Sequence, residues 1–126
     1  MNNIAYFEIQ AAEPAKTVEF YNSIFGWEFT KEELVPIEYY RMNGTSGIIG
    51  AILKRPTPTP PIGSGTNAYV CSVQVANFDE TAKKILDLGG IVAMEKFAVP
   101  GRCWQGYFLD IDHNTFGIFE ADENAK

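Results

Sequence analysis

Histidine is almost missing from this chain: there is one, His113, and beside it only two cysteines, Cys71 and Cys103. Imidazole-based metal sites and nucleophilic triads need such residues in groups, so one histidine leaves little for either. Two cysteines are also too few for a disulfide scaffold, and both are expected to be buried, inert thiols. No run of about 18 apolar residues occurs, which excludes a spanning helix. The start, Met1-Asn2-Asn3-Ile4, carries neither the positive flank nor the apolar block of a signal peptide. A cytoplasmic protein without membrane association is therefore expected. Lys and Arg form no stripe anywhere, and ten basic against sixteen acidic residues give a net charge of -6. Phosphate neutralisation needs such a stripe, so no nucleic-acid partner is expected. The acidic balance is compatible with a cationic small-molecule ligand, although an acidic total more often means solubility alone.

What is present is an ordinary globular composition, 46% hydrophobic and 21% charged over 126 residues, enough for one domain with its own core. Branched and aromatic residues at 3–9 predict a strand, with Ile4, Tyr6 and Glu8 on one face and Ala5, Phe7 and Ile9 on the other. Pro14 suits a first helical turn, where its missing donor is not needed. A helix is predicted from there to Phe25, with Val18, Tyr21, Ile24 and Phe25 on one stripe and Gly26 as its stop. Strands are predicted at 27–33, 37–42 and 47–54, the last two as a hairpin about Asn43-Gly44. Residues 55–66 hold Pro56, Pro58, Pro60 and Pro61, which remove donors and fix φ, so this stretch reads as a connector.

After it the same order returns: a strand at 67–75, then a helix from Phe78 or Asp79 to Leu88 with Asp79 as its N-cap and Gly89-Gly90 as its stop. Strands follow at 91–98, 104–109 and 115–121. The last is joined to its predecessor through Asp110, Asp112, His113 and Asn114, short polar residues suited to a tight corner. A single offset of 64 places Gln10 on Gln74, Ala12 on Ala76, Thr17 on Thr81 and Gly26 on Gly90, while apolar Tyr21 and Ile24 fall on Ile85 and Leu88. The expected fold is α+β: one domain, 1–126, made of two βαβββ modules at about 1–54 and 67–121, joined by the proline-rich connector 55–66.

Phe7-Glu8-Ile9, Phe20-Tyr21 with Phe25-Gly26-Trp27, Leu88-Gly89-Gly90 and Asp110-x-Asp112-x-Asn114-x-Phe116-Gly117, in this order, resemble the vicinal oxygen chelate superfamily. That group includes glyoxalase I, bleomycin-resistance proteins and extradiol dioxygenases. The resemblance implies curved mixed sheets enclosing a pocket, commonly within a homodimer. In the metal-dependent members a divalent ion sits there, held by His, Glu or Gln from strands of both modules, and acts on the substrate as a Lewis acid. The matching positions here are Tyr6, its counterpart Val70, Gly117, and a fourth within 47–53, a stretch with no ligating side chain. No bound metal and no cofactor are expected. His113 falls in the polar corner, where exposure is expected, and Glu120 should point away from the pocket because strand alternation sets it opposite Gly117 and Phe119.

If Gly117 faces inward, Phe119, Tyr6 and Glu8 do so too, joined by Val70, Ser72 and Gln74. A lone carboxylate on an enclosed face costs energy unless it is paired or neutralised. Glu8 can therefore be a general base, the anchor of a cationic ligand, or a structural ion pair with a residue such as Arg41. In 99–105, Trp104 can stack on a planar or cationic ligand or pack in a dimer, and Arg102 can bind a carboxylate. Cys103 lacks a nearby histidine to activate it. The leading expectation is metal-independent binding of a small, cationic or aromatic molecule, as in the bleomycin-resistance branch, through Tyr6, Glu8, Ser72, Arg102, Trp104 and Phe119. The alternative is a lyase, isomerase or epimerase in which Glu8 or Tyr6 moves a proton. A protein-interaction module ranks third.

Overall fold

Alternation of large apolar and polar residues makes Ile4–Ala11 the first strand, β1, and every later element follows the order expected. A computed structural model describes residues 1–44 and 47–126. Its elements are α1 (Pro14–Phe25), β2 (Phe29–Lys31), β3 (Tyr39–Met42), β4 (Ile49–Lys54), β5 (Val70–Gln74), α2 (Phe78–Asp87), β6 (Ile91–Val99), β7 (Cys103–Leu109) and β8 (Thr115–Ala121). The class is mixed α+β, and no helix is long and apolar enough to cross a membrane. Two compact units divide the chain, Tyr6–Tyr69 and Met1–Ala5 with Val70–Lys126.

The repeat holds at the level of strand pairing. In the Tyr6–Tyr69 unit the order is β2-β3-β4-β1, and in the other it is β6-β7-β8-β5. The first strand of each repeat lies parallel to its last (Glu8 opposite Ala51, Ser72 opposite Gly117), and the remaining neighbours are antiparallel. The helices begin at Pro14 and Phe78, 64 residues apart as the offset requires.

One face of each ladder carries its helix. In the Tyr6–Tyr69 unit, Ile9, Ala11 and Ile52 form the buried core, with Phe7, Val18, Tyr21, Trp27 and Phe29 against it. Ile24 and Phe25, expected on that stripe, are exposed instead. The inward positions are Pro14, Val18 and Tyr21, one helical turn apart, and Phe25 is left stacking at the rim on Tyr21 and Trp27. In the second unit Val75, Phe78, Phe108 and Ile118 form the core. Phe78 sits over Gly106, where an added Cβ would come 2.6 Å from its ring.

Gly26 ends α1 in the left-handed region (φ 73°), its N–H bonding back to the Asn22 carbonyl. The N-cap of α2 is Asn77 and not Asp79: its side chain accepts from the Glu80 N–H, and Asp79 lies inside the first turn. The sequence offers both residues, but only Asn77 has the extended backbone an N-cap needs. The β7–β8 corner is built as expected. Asp110 accepts from the backbone N–H groups of Asp112 and Asn114, which holds its carboxyl below the usual range, and His113, exposed, takes φ 63°. The predicted Asn43-Gly44 turn lies in the β3–β4 connection, of which Thr45 and Ser46 fall outside the described residues. Neither cysteine forms a disulfide, and both are only half-buried, contrary to the expectation of full burial.

Ile52 is fully buried, so Ile52→Ala should cost about 2–5 kcal/mol in urea unfolding. A Cβ on Gly50 would run into the Phe7 carbonyl, backbone that cannot swing aside, so Gly50→Ala should also lose about 1–3 kcal/mol although it adds a single methyl group.

Candidate functional site

The face of each ladder opposite its helix carries a buried polar pair, and the two pairs occupy equivalent places. In the Tyr6–Tyr69 unit, alternation along β1 puts Tyr6, Glu8 and Gln10 on that face, because Phe7, Ile9 and Ala11 pack toward α1. Pairing through β4 adds Ala51, opposite both Glu8 and Arg41, and Leu53, opposite Tyr39. Ala51 is fully buried and small, so Glu8 and Tyr39 meet across it.

Glu8 is 7% exposed and Tyr39 8%. The Tyr39 hydroxyl donates to Glu8 Oε2 at 3.1 Å, and the Tyr6 and Tyr39 hydroxyls are 2.7 Å apart. A phenol has one proton. Since Tyr39 gives its proton to Glu8, Tyr6 must donate to Tyr39, and the row runs Tyr6 to Tyr39 to Glu8. Burial first, then the Glu8 carboxylate and Tyr6, push the Tyr39 phenol far above its ordinary 10.0.

Arg41, considered as a partner for Glu8, forms its ion pair with Glu32 (Nε to Oε1, 3.6 Å). Its guanidinium carbon lies 5.5 Å from the centre of the Tyr6 ring. Its Nε is buried without a hydrogen-bond partner among the described residues. Tyr6 and Arg41 are half-buried and Gln10 is exposed, while Glu8 is buried and bonded to the Tyr39 hydroxyl. A groove of about 410 Å³ at the start of α1, lined by Gln10, Lys16, Thr17, Phe20 and Arg55 among others, includes none of Tyr6, Glu8, Tyr39 or Arg41.

In the second unit, Ser72 and Gln105 hold the places of Glu8 and Tyr39. Ser72 lies opposite Gly117, Gln105 lies opposite Phe119, and Gln105 Nε2 donates to Ser72 Oγ at 3.3 Å. Gly117 makes room for them: an added Cβ would meet Ser72 Oγ and come 2.7 Å from Gln105 Nε2. Half-buried Phe119 shares this face, since it pairs with Gln105 and Gln74.

The expected site residues are therefore distributed unevenly. Tyr6 and Glu8 meet in one cluster; Ser72 and Phe119 lie on one face in the other unit. Trp104 does not join them. It packs on the helix side against the Phe78 core, with Lys96 Nζ 4.9 Å from its ring centre and its indole N–H donating to Asp122 at 3.0 Å. Arg102 is exposed in the β6–β7 turn. Glu120 accepts from the Phe78 N–H at 2.6 Å, on the helix side as alternation requires. Sequence reasoning missed Tyr39 and Gln105. The signal for Tyr39 was Arg41, two residues on and already singled out, since strand alternation puts both on one face.

Register also fixes the fourth of the family's ligand positions. Ala51 stands to Glu8 as Gly117 stands to Ser72, so the four positions are Tyr6, Ala51, Val70 and Gly117. One phenol and three side chains without a donor atom do not fit a divalent ion. Among the described residues no three His, Cys, Asp or Glu side chains gather into a ligand group.

Among curated proteins none matches the chain. Solved structures do. A hypothetical protein from Bacillus halodurans C-125 is similar with a TM-score of 0.68 at 12% identity, covering 98% of this chain and 97% of that one. Methylmalonyl-CoA epimerase from Mycobacterium tuberculosis gives 0.68 at 11% identity, over 94% and 87%. A Streptomyces coelicolor methylmalonyl-CoA epimerase in complex with 2-nitronate-propionyl-CoA gives 0.64 at 18%, over 96% and 98%. At these identities the likeness is one of fold. The sequence itself matches a family description over residues 3–118, nearly its whole length, and on that match the chain belongs to the Glyoxalase/Bleomycin resistance protein/Dioxygenase superfamily.

Proposed function

We propose that this chain binds a small molecule through side chains, without a divalent ion, on the helix-free face that carries Tyr6, Glu8 and Tyr39. The supporting observation is the ordered row Tyr6 to Tyr39 to Glu8. A structural ion pair alone would need no such relay. Here a buried carboxylate draws both phenol protons inward, so the Tyr6 oxygen faces a ligand as an acceptor backed by negative charge. The aromatic ring of Tyr6 supplies apolar contact, and the ligand class that fits is aromatic or cationic. In the other unit, taken by itself, Ser72 and Phe119 on its helix-free face belong to the ligand-binding reading, with Arg102 as a further contact. Trp104 acts through packing. The reading retains a cytoplasmic location and a homodimer, for which the terminal strands β2 and β6 of the two ladders offer edges.

A second reading is favoured by the same row. Phenols leading to a carboxylate can carry a proton, and Tyr6 with Glu8 behind it would serve an epimerase, lyase or isomerase step. Fold-similar methylmalonyl-CoA epimerases lend this reading its support.

A thermal-shift screen of aromatic and cationic small molecules should yield a ligand that raises Tm, and Glu8→Gln or Tyr6→Phe should weaken it by about tenfold, a loss of roughly 1.4 kcal/mol. A flat response across the screen would remove the support for binding and favour the interaction module. Turnover of a small carbon acid that Glu8→Gln leaves untouched would separate Glu8 from the enzymatic reading.

The Tyr39 phenol supplies a pH test. Its folded pKa is raised, so the unfolded chain gives up this proton first; the stability it supports is intact below pH 10.0 and falls as pH rises beyond it. Urea midpoints measured from pH 8 to 11 should decline more steeply in the wild type than in Tyr39→Phe. At neutral pH that variant should be weaker by about 1–3 kcal/mol, because Glu8 loses a buried donor.

A further inference from the structure

The Ser72–Gln105 pair is 1% and 8% exposed, and its hydrogen bonds have a fixed direction. Gln105 Nε2 donates to Ser72 Oγ at 3.3 Å and to the Gly106 carbonyl at 3.4 Å. A backbone carbonyl can only accept, so the Gly106 contact settles which end of the amide is nitrogen. Both N–H groups are turned inward. The Gln105 carbonyl oxygen accepts from no group among the described residues and is not a fully buried atom, so it is the end of the amide open to solvent and to a ligand. Gly117 keeps the arrangement in place, because any side chain there would displace the Ser72 hydroxyl and the Gln105 amide.

We propose that Gln105 is a specificity-determining residue, a fixed hydrogen-bond acceptor that selects a ligand group carrying N–H donors, an amide or an amidinium, and rejects a carboxylate. The inference rests on reading the helix-free faces as ligand-binding. It goes further by assigning a role to a residue the sequence did not single out and by giving the ligand group its chemistry. A carboxylate offers acceptors only, so against the Gln105 oxygen it meets lone pair with lone pair. An amide or amidinium of the same shape places an N–H there instead. Ser72 is a positioning residue: too deeply buried to meet the ligand, it holds the Gln105 amide in the orientation that presents oxygen.

Benzamide, benzamidine and benzoate, three probes of one shape, separate the outcomes when titrated at millimolar concentration against the full chain with ¹⁵N-labelled glutamine. Benzamide and benzamidine should shift the Gln105 side-chain amide resonances and bind at least about tenfold more tightly than benzoate. Gln105→Leu should abolish that preference. Gln105→Glu, which keeps the shape and adds charge, should favour benzamidine over benzamide by a further factor of about ten. Urea midpoints show whether either variant folds, and the near-isosteric Gln105→Glu keeps the test alive if Gln105→Leu does not. Equal binding of benzoate and benzamide, a preference that survives Gln105→Leu, or no binding of any probe would overturn the proposal. Tyr39→Phe run alongside keeps the two readings apart. A Gln105-dependent preference that Tyr39→Phe leaves unchanged upholds the Gln105 role while removing the Tyr6–Tyr39–Glu8 row from ligand binding.

Discussion

Everything on the helix-free faces depends on one steric constraint: the last strand of each repeat must offer almost no side chain where the first and third strands reach across it. Ala51 meets this requirement in one unit and Gly117 in the other. A methyl group leaves space for a carboxylate and a phenol to meet, and a hydrogen leaves space for a hydroxyl and an amide. Polar groups hidden this way must find partners, since an unpaired one costs on the order of 1–3 kcal/mol. The small residue and the buried pair therefore form one structural device, repeated with different chemistry.

The two versions share a direction. In one, protons pass from Tyr6 through Tyr39 toward Glu8; in the other, both N–H groups of Gln105 are drawn to Ser72 and the Gly106 carbonyl. Each directs its donor hydrogens into the fold. If ligands bind these faces as proposed, selection there is by hydrogen-bond polarity more than by net charge. The Tyr39 phenol also gives the buried Glu8 carboxylate a hydrogen-bond donor, while Arg41 pairs with Glu32.

Much of the architecture was legible from residues alone. Pro14 and Gly26 bracket α1, the Asp110–Asn114 corner closes β7 onto β8, and the offset of 64 reappears in the helix starts and in the pairing of the two ladders. These signals are local, carried by backbone restrictions and short side-chain bonds. Where the reading slipped, the competing choices were locally equivalent. Asp79 and Asn77 are both good caps, and Phe25 is as apolar as Val18, so burial rather than type decided between them.

The sequence by itself determined the order of elements, their duplication and the side of each strand on which Tyr6, Glu8, Ser72 and Phe119 stand, because a period of two and a helical turn are written into spacing. Only the tertiary structure decided which of these side chains meet. Tyr39 joins Glu8, and Gln105 joins Ser72, through the register of a third strand against a first, across residues far apart in the chain. Trp104, promising by residue type, went to the helix side because one step of alternation separates it from Gln105. Register is set by how whole strands pack, and no stretch of sequence carries it alone.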